Sequence, residues 1–395
     1  MTEATLRFTP SELVIESRID EFLAQMTLEE KVGQMVQLSI RDMVPGEGEE
    51  RIRQGQAGSV LSAYGARETN RLQEIAVEES RLGIPLIIGN DVIHGYRTIF
   101  PIPLAESCTW DPGLVQETAR IAAEEATAHG TNWNFAPMVD ICRDPRWGRI
   151  AEGSGEDPFL GKAMARARVF GFQGADLASG RRMVACPKHY VGYGAAEAGK
   201  DYNTVDISER TLRDVYLPPF QAAFEAGAGT VMSAFNELSG IPASANPFTL
   251  GTILRGELGF DGLVLSDWNA IGELIRHGLS PDLKEAARLA VLAGVEMDMV
   301  ADAYHEHLAE LVAEGAVPLS VLEATVRRVL RLKIMLGLFE QPYVDEELAE
   351  QAVLKPEYRA KALEVAQKSM VLLKNDDHLL PLNPDLGRIA LIGPL

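Results

Sequence analysis

Six short apolar runs in this chain end on, or carry, residues able to accept, donate or hold a proton. GLVLSDW (262–268) stops at Asp267 beside Trp268, IPLIIGND (84–91) at Asn90 and Asp91, and WNFAPMVD (133–140) at Asp140. MVACPKHY (183–190) carries Lys188 and His189 near its end, GTVMSAFN (229–236) stops at Asn236, and GVEMDMV (294–300) carries Asp298. A partly buried charge is costly unless paired, so this repeated placement points to a shared polar site. Asp267 reads either as a cap for a helix starting near Asn269 or as an acceptor beside an indole platform suited to the C–H face of a sugar ring. Asp91 reads as a turn cap or as a bidentate acceptor for two sugar hydroxyls. Lys188 has three readings: a Schiff-base amine if burial lowers its pKa, a structural ion-pair partner, or a donor to substrate hydroxyls beside His189. Arg149 lies in CRDPRWGRIAEGSGEDP (142–158), whose Arg143, Asp144, Arg146, Glu152, Glu156 and Asp157 suit an ion-pair lattice; Arg149 is the member assigned to substrate.

The elements that must position these residues alternate in type. With GSVLSA (58–63) and QMVQLSI (34–40) the strand count reaches eight, and helical patterns such as LVQETARIAAEEATAHG (114–130) and LKEAARLAVLAG (283–294) lie between them. This predicts an α/β fold, a (β/α)8 TIM-like barrel over residues 1–337, with the active residues gathered at the carboxyl ends of the strands. Thr27 with Glu30, and Ser320 with Glu323, read as capping boxes that open helices. Gly337 ends the last of these in a left-handed conformation, with Pro342 soon after. Residues 338–362 read as an acidic linker. Residues 363–395 read as the truncated start of an α/β sandwich domain, with apolar strands at 370–373 and 389–393 that cannot close a core alone.

Composition narrows the partners. Among 395 residues, 37 Lys and Arg against 57 Asp and Glu leave a net charge of -20, which repels nucleic acid and anionic membranes. Cys108, Cys142 and Cys186 form no CxxC pair, and the histidines His94, His129, His277, His305 and His307 show no ligand spacing, so no metal is expected. No GxGxxG opens a helix, and GAAEAGKD (194–201) puts Asp201 where a phosphate loop needs a hydroxyl, so no cofactor is expected either. The polar start MTEATLRFTPSELVIESRID reads as no signal peptide, and no run of 18 apolar residues follows. The expectation is a soluble cytoplasmic chain, with a secreted or periplasmic location left open.

The motifs MTLEEKVGQM (26–35), NDVIHGYRTIFP, NFAPMVDICRDPRWGR, GSGEDP, KHYVGYGAAEAGKDYN, VMSAFNELSGIPASAN, LSDWNAI and RIALIGPL (388–395) occur in one order along nearly the whole chain. In these the chain resembles the glycoside hydrolase family 3 β-glucosidases. The resemblance implies a barrel joined to a sandwich domain, and removal of a terminal β-linked sugar, usually glucose, from oligosaccharides or glucosides with retention of configuration; xylose is the alternative. It places the nucleophile on Asp267 and the first sugar subsite on Asp91, Arg149, Lys188, His189 and Trp268. Phe235 stands where relatives often carry a tyrosine, which removes one hydroxyl near the nucleophile. Retention needs a second carboxyl group roughly 5 Å from the first. In the β-glucosidases that group is a glutamate of the sandwich domain, so it is expected outside this chain, on that domain or a partner chain. The branch that uses a barrel histidine carries an H-G-x-x-x-x-D-S-H loop, and YGAAEAGKDYN has none. Asp267 must be ionised to attack, and Lys188 and His189 are expected to hold it so. A non-catalytic sugar-binding barrel and a Schiff-base lyase using Lys188 remain the competing readings.

Overall fold

The computed structural model describes residues 12–174, 177 and 182–393. Eight short parallel strands alternate with helices: β1 (Val36–Ser39), β2 (Ser59–Leu61), β3 (Ile87–Asn90), β4 (Trp133–Asn134), β5 (Val184–Ala185), β6 (Thr230–Met232), β7 (Leu263–Leu265) and β8 (Asp298–Met299). Each lies inside an apolar run read from the sequence, because side chains on both faces are buried and the usual polar alternation is absent. Hydrogen bonds order the strands β8–β1–β2–β3–β4–β5, while β6 pairs with β7. Single parallel bridges, Tyr190 to Ser233 and Leu265 to Met297, join the two sets and close the cylinder. Its inside is packed by Leu61, Ile87, Trp133, Phe135, Met232 and Leu265. Polar inward groups pair with one another: Gln37 Nε2 donates to Ser59 Oγ at 2.8 Å, and Trp133 Nε1 to Thr230 Oγ1 at 2.8 Å.

Helix punctuation follows the sequence in two places and departs from it in one. Thr27 Oγ1 accepts from the Glu30 backbone at 3.2 Å while Glu30 Oε2 accepts from the Thr27 backbone at 2.9 Å, completing the expected capping box of helix Leu28–Gly33. Gly337 adopts φ +68° after helix Leu319–Met335. Ser320, however, caps nothing. That helix starts directly after Pro318, so Ser320 already lies within its first turn.

Residues 338–362 contain helix Glu346–Ala352, and helix Pro356–Lys368 starts there and continues past residue 363. The second helix docks Tyr358 and Val365 against Phe100, Leu114 and Ile121 of the barrel, and Tyr358 Oη donates to Glu124 at 2.8 Å. The strands expected at 370–373 and 389–393 do not form. An extended segment becomes a strand only against a neighbour that takes its N–H and C=O groups, and here Leu373 and Ile392 are almost wholly exposed.

Where helix Leu28–Gly33 meets the approach to β2, two backbones touch. A Cβ on Gly58 would sit 2.2 Å from the Gln34 carbonyl oxygen, and one on Gly33 would sit 2.0 Å from that of Gly55. Gly58→Ala therefore lowers unfolding free energy by at least about 1–3 kcal/mol, read from urea denaturation midpoints.

Candidate active site

The site is assembled where β4 and β5 run on past their regular ladder. Val139 N donates to Lys188 O at 2.8 Å and Lys188 N to Pro137 O at 3.0 Å, which sets Asp140 beside His189. Asp140 Oδ2 accepts from the His189 backbone N–H at 2.9 Å and lies 2.9 Å from His189 Nδ1. Across the ring, His189 Nε2 lies 3.3 Å from Asp267 Oδ2, just beyond β7. Neither of those two atoms has an aligned hydrogen-bond partner, although both are buried. Asp267 Oδ1 accepts from the Trp268 backbone at 2.6 Å. Asp267 does not cap the following helix, Ala270–Arg276, whose N-cap is Asn269 at φ +53° with no side-chain bond.

Two cations complete the cluster. Buried Lys188 reaches from the end of β5 to Asp91 beyond β3, Nζ to Oδ1 2.5 Å, and the Asp91 side chain stays about half exposed. Arg149 donates to both carboxylate oxygens of Glu152, at 2.7 and 3.0 Å, and its guanidinium lies 5.7 Å from the Tyr193 ring centroid. The ion-pair lattice expected for this loop is real but local. Asp144 pairs with Arg146 at the surface, and Asp157 caps helix Pro158–Gln173. Asp201, the residue that spoils the phosphate-loop match, accepts from Trp147 Nε1 at 2.9 Å and from Tyr193 Oη at 2.5 Å, and no helix follows it. The Trp268 side of the site is open, with that residue 42% exposed.

Burial dominates the electrostatics. It pushes Asp267 up to about 6, against the downward pull of Lys188, the Trp268 N–H and Arg149. Asp140 is pushed up to about 7, again by burial and against the His189 backbone N–H. Burial also works against the Lys188 charge, but Asp91 and Asp267 outweigh it and hold the amine above its ordinary value. That removes the condition for a Schiff-base amine. Burial, then Arg149 and Lys188, drive His189 well below its ordinary value. The positive charge acting on Asp267 is that of Lys188 and Arg149.

Asp91, Arg149, Lys188, His189, Asp267 and Trp268 all lie beyond the carboxyl ends of β3, β4, β5 and β7. Of the other strand-end residues, Asn90 and Asp298 serve the backbone: Asn90 Nδ2 donates to Ala63 O at 3.0 Å, and Asp298 accepts from Ala301 and Tyr304 backbone N–H groups. Asp140 was flagged only as a strand terminus, and Glu152, Tyr193 and Asp201 were not assigned to the site at all. The Asp140–His189 contact spans 49 residues, so local spacing carries no signal for it, whereas Arg149–Glu152 and Tyr193–Asp201 pair within single stretches. Phe235 packs its ring 4.6 Å from half-exposed Tyr202 and 6.4 Å from His189. Among the described residues, no group of three His, Cys, Asp or Glu side chains could hold a metal ion, and no helix is long and apolar enough to cross a membrane.

A barrel with this rim of carboxylates, cations and aromatics defines a class that comparison makes specific. Residues 27–332 match the Glycosyl hydrolase family 3 N terminal domain. The chain is 40% identical to a periplasmic β-glucosidase of Salmonella typhimurium over 95% of its own length and 50% of that protein's. It is 35% identical to a β-xylosidase of Formosa agariphila, over 96% of this chain and 50% of the relative. The fold superposes on a β-glucosidase from Listeria innocua, solved in complex with glucose, with TM-score 0.88 and 43% identity, covering 93% of this chain and 53% of that one. The chain belongs to glycosyl hydrolase family 3, and it spans about half the length of these relatives.

Asp267 gives the site a stability signature. Its folded value near 6 exceeds the 3.8 of an unperturbed aspartate, so between those limits the folded chain binds more protons than the unfolded one. The destabilisation is absent below about 3.8 and complete above about 6. Asp267→Asn therefore raises stability at pH 7 by on the order of 1–3 kcal/mol, a gain that shrinks on acidification; thermal melts from pH 4 to 8 read it.

Proposed function

We propose that this chain is the nucleophile-bearing portion of a retaining, exo-acting β-glycosidase that releases terminal β-D-glucose through a covalent glycosyl-enzyme on Asp267. The observation that carries this reading is the 8%-exposed Asp267 at the barrel rim, its Oδ2 meeting only His189 Nε2 at 3.3 Å, with two cations acting on the carboxylate. A carboxylate so placed, kept ionised by Lys188 and Arg149, suits attack on an anomeric carbon. Asp91 and Lys188 form a polar end wall able to bind neighbouring hydroxyls, and Trp268 offers a ring face to the sugar.

The proton donor lies elsewhere on this reading. Asp91 is tied to Lys188, Glu152 to Arg149, and Asp140 sits behind His189, so none of the three stands free across a sugar from Asp267. A sandwich domain or a partner chain supplies the acid, in keeping with relatives of about twice this length. Xylose is the second sugar to test, favoured by the similarity to a β-xylosidase.

A 2-deoxy-2-fluoro glucoside with a dinitrophenyl leaving group labels Asp267, located by peptide mapping, and Asp267→Asn takes no label. Loss of the acid costs about 10²- to 10⁴-fold on substrates whose leaving group needs a proton, so the chain cleaves dinitrophenyl glucoside measurably better than an alkyl glucoside, and equal rates contradict a missing acid. Sugar binding without an adduct on Asp267 contradicts the catalytic reading.

A further inference from the structure

The geometry points to Asp140 as a positioning residue that dictates which nitrogen of His189 carries a proton, so that Nε2–H faces the nucleophile. The inference deepens the proposed role of Asp267 and rests on it for its kinetic consequence, though the tautomer itself stands apart from any activity.

The three groups form a line through one imidazole. Asp140 Oδ2 meets the Nδ1 side at 2.9 Å, and Asp267 Oδ2 meets the Nε2 side at 3.3 Å. If Nδ1 held the only ring proton, bare Nε2 and a carboxylate oxygen would face each other as two acceptors in a buried space, a repulsive arrangement. A proton on Nε2 makes the same approach attractive. Two microstates provide it: a protonated Asp140 donating to Nδ1, or an imidazolium between two carboxylates. Each leaves the trio at a net charge of one negative unit, so they share the Nε2–H bond and differ only in where the other proton rests.

The surroundings favour the first microstate. Arg149 and Lys188 act on His189 and oppose an imidazolium. Asp140 is influenced by Arg149, Glu152 and Lys188 besides the His189 N–H, and burial raises it to about 7. Lys188, Arg149 and Asp91 act on Asp267. The rings next to His189 are Tyr193 at 5.2 Å and Phe235 at 6.4 Å. At 3.3 Å from the nucleophile, His189 is also too near to be the acid of a retaining pair, whose carboxyl groups stand about 5 Å apart. Its Nε2–H thus serves Asp267 and any sugar hydroxyl lodged against it.

Asp140→Asn separates this role from a structural one. The carboxamide oxygen keeps the His189 backbone bond, but in that place it can only accept, so the ring proton moves to Nδ1 and Nε2 is left bare. The test is ¹⁵N-histidine NMR of the full chain at pH 7, with His189 assigned by a His189→Gln variant. The expected result is Nε2–H in the parent and Nδ1–H in Asp140→Asn. A parent with bare Nε2, or a variant that keeps Nε2–H, overturns the proposal. The kinetic arm follows the rate of labelling by the fluoro glucoside against pH. Asp140→Asn slows it at least about tenfold and moves the acidic limb to higher pH, because a lost donor raises the Asp267 pKa. An unchanged rate and limb overturn the proposal. A parent that takes no label sinks the glycosidase reading instead, while the NMR result still decides the tautomer. Should Asp140→Asn fail to fold, the parent spectrum decides it.

Discussion

The site is governed by the cost of two buried carboxylates, Asp140 and Asp267, facing the two nitrogens of one imidazole. Nothing in a protein interior tolerates that charge density unaided, since desolvation and like-charge repulsion both push the groups toward their neutral forms. Lys188 and Arg149 offset the cost on one side, and the His189 and Trp268 backbone N–H groups do so at each carboxylate. Each cation has its own exposed or part-exposed counter-ion, Asp91 or Glu152, so the pocket is a network of charge pairs rather than a lone acid. The result is a carboxylate whose Oδ2 meets one ring nitrogen, His189 Nε2 at 3.3 Å.

The barrel exists, in functional terms, to make this cluster rigid. Asp140 and His189 are 49 residues apart, yet backbone bonds between Val139 and Lys188 hold them in contact. Asp267 comes from a strand two positions further round, fastened through Ser233 to Leu265 and through Ser266 to Met297. Because every strand pairs on both sides, a shift of one rim residue must drag its neighbours. The Tyr193, Asp201 and Trp147 contacts lock the two longest rim loops together in the same way, and they set the surface over which the Arg149 guanidinium lies.

Much of this was legible in the residues. All eight strands were visible as short apolar runs, because a doubly covered parallel sheet needs no polar alternation, and the polar terminus of each run marked the rim. Asp91, Lys188, His189 and Asp267 could be read there as rim residues, while Arg149, in its crowded loop, pairs with Glu152. The tie between Asp140 and His189 could not, since it depends on strand register, which no local spacing encodes. Nor could the downward shift of His189, which follows first from burial and then from the fields of Arg149 and Lys188. Ser320 misled because a serine with a glutamate three residues on mimics a cap wherever it falls, and here Pro318 had already set the helix start. The apolar segments 370–373 and 389–393 misled because hydrophobicity marks what a strand would bury, not whether a neighbouring strand is present to pair with it.

The most direct test is a carboxyl ¹³C titration of aspartate-labelled protein, with the Asp267 signal identified by its loss in Asp267→Asn. The structure predicts a resonance that titrates near 6, well above the ordinary 3.8, and that moves higher still in Lys188→Met. An Asp267 that titrates at the ordinary value, and is indifferent to Lys188, would contradict the claim that a buried carboxylate is held ready by paired cations.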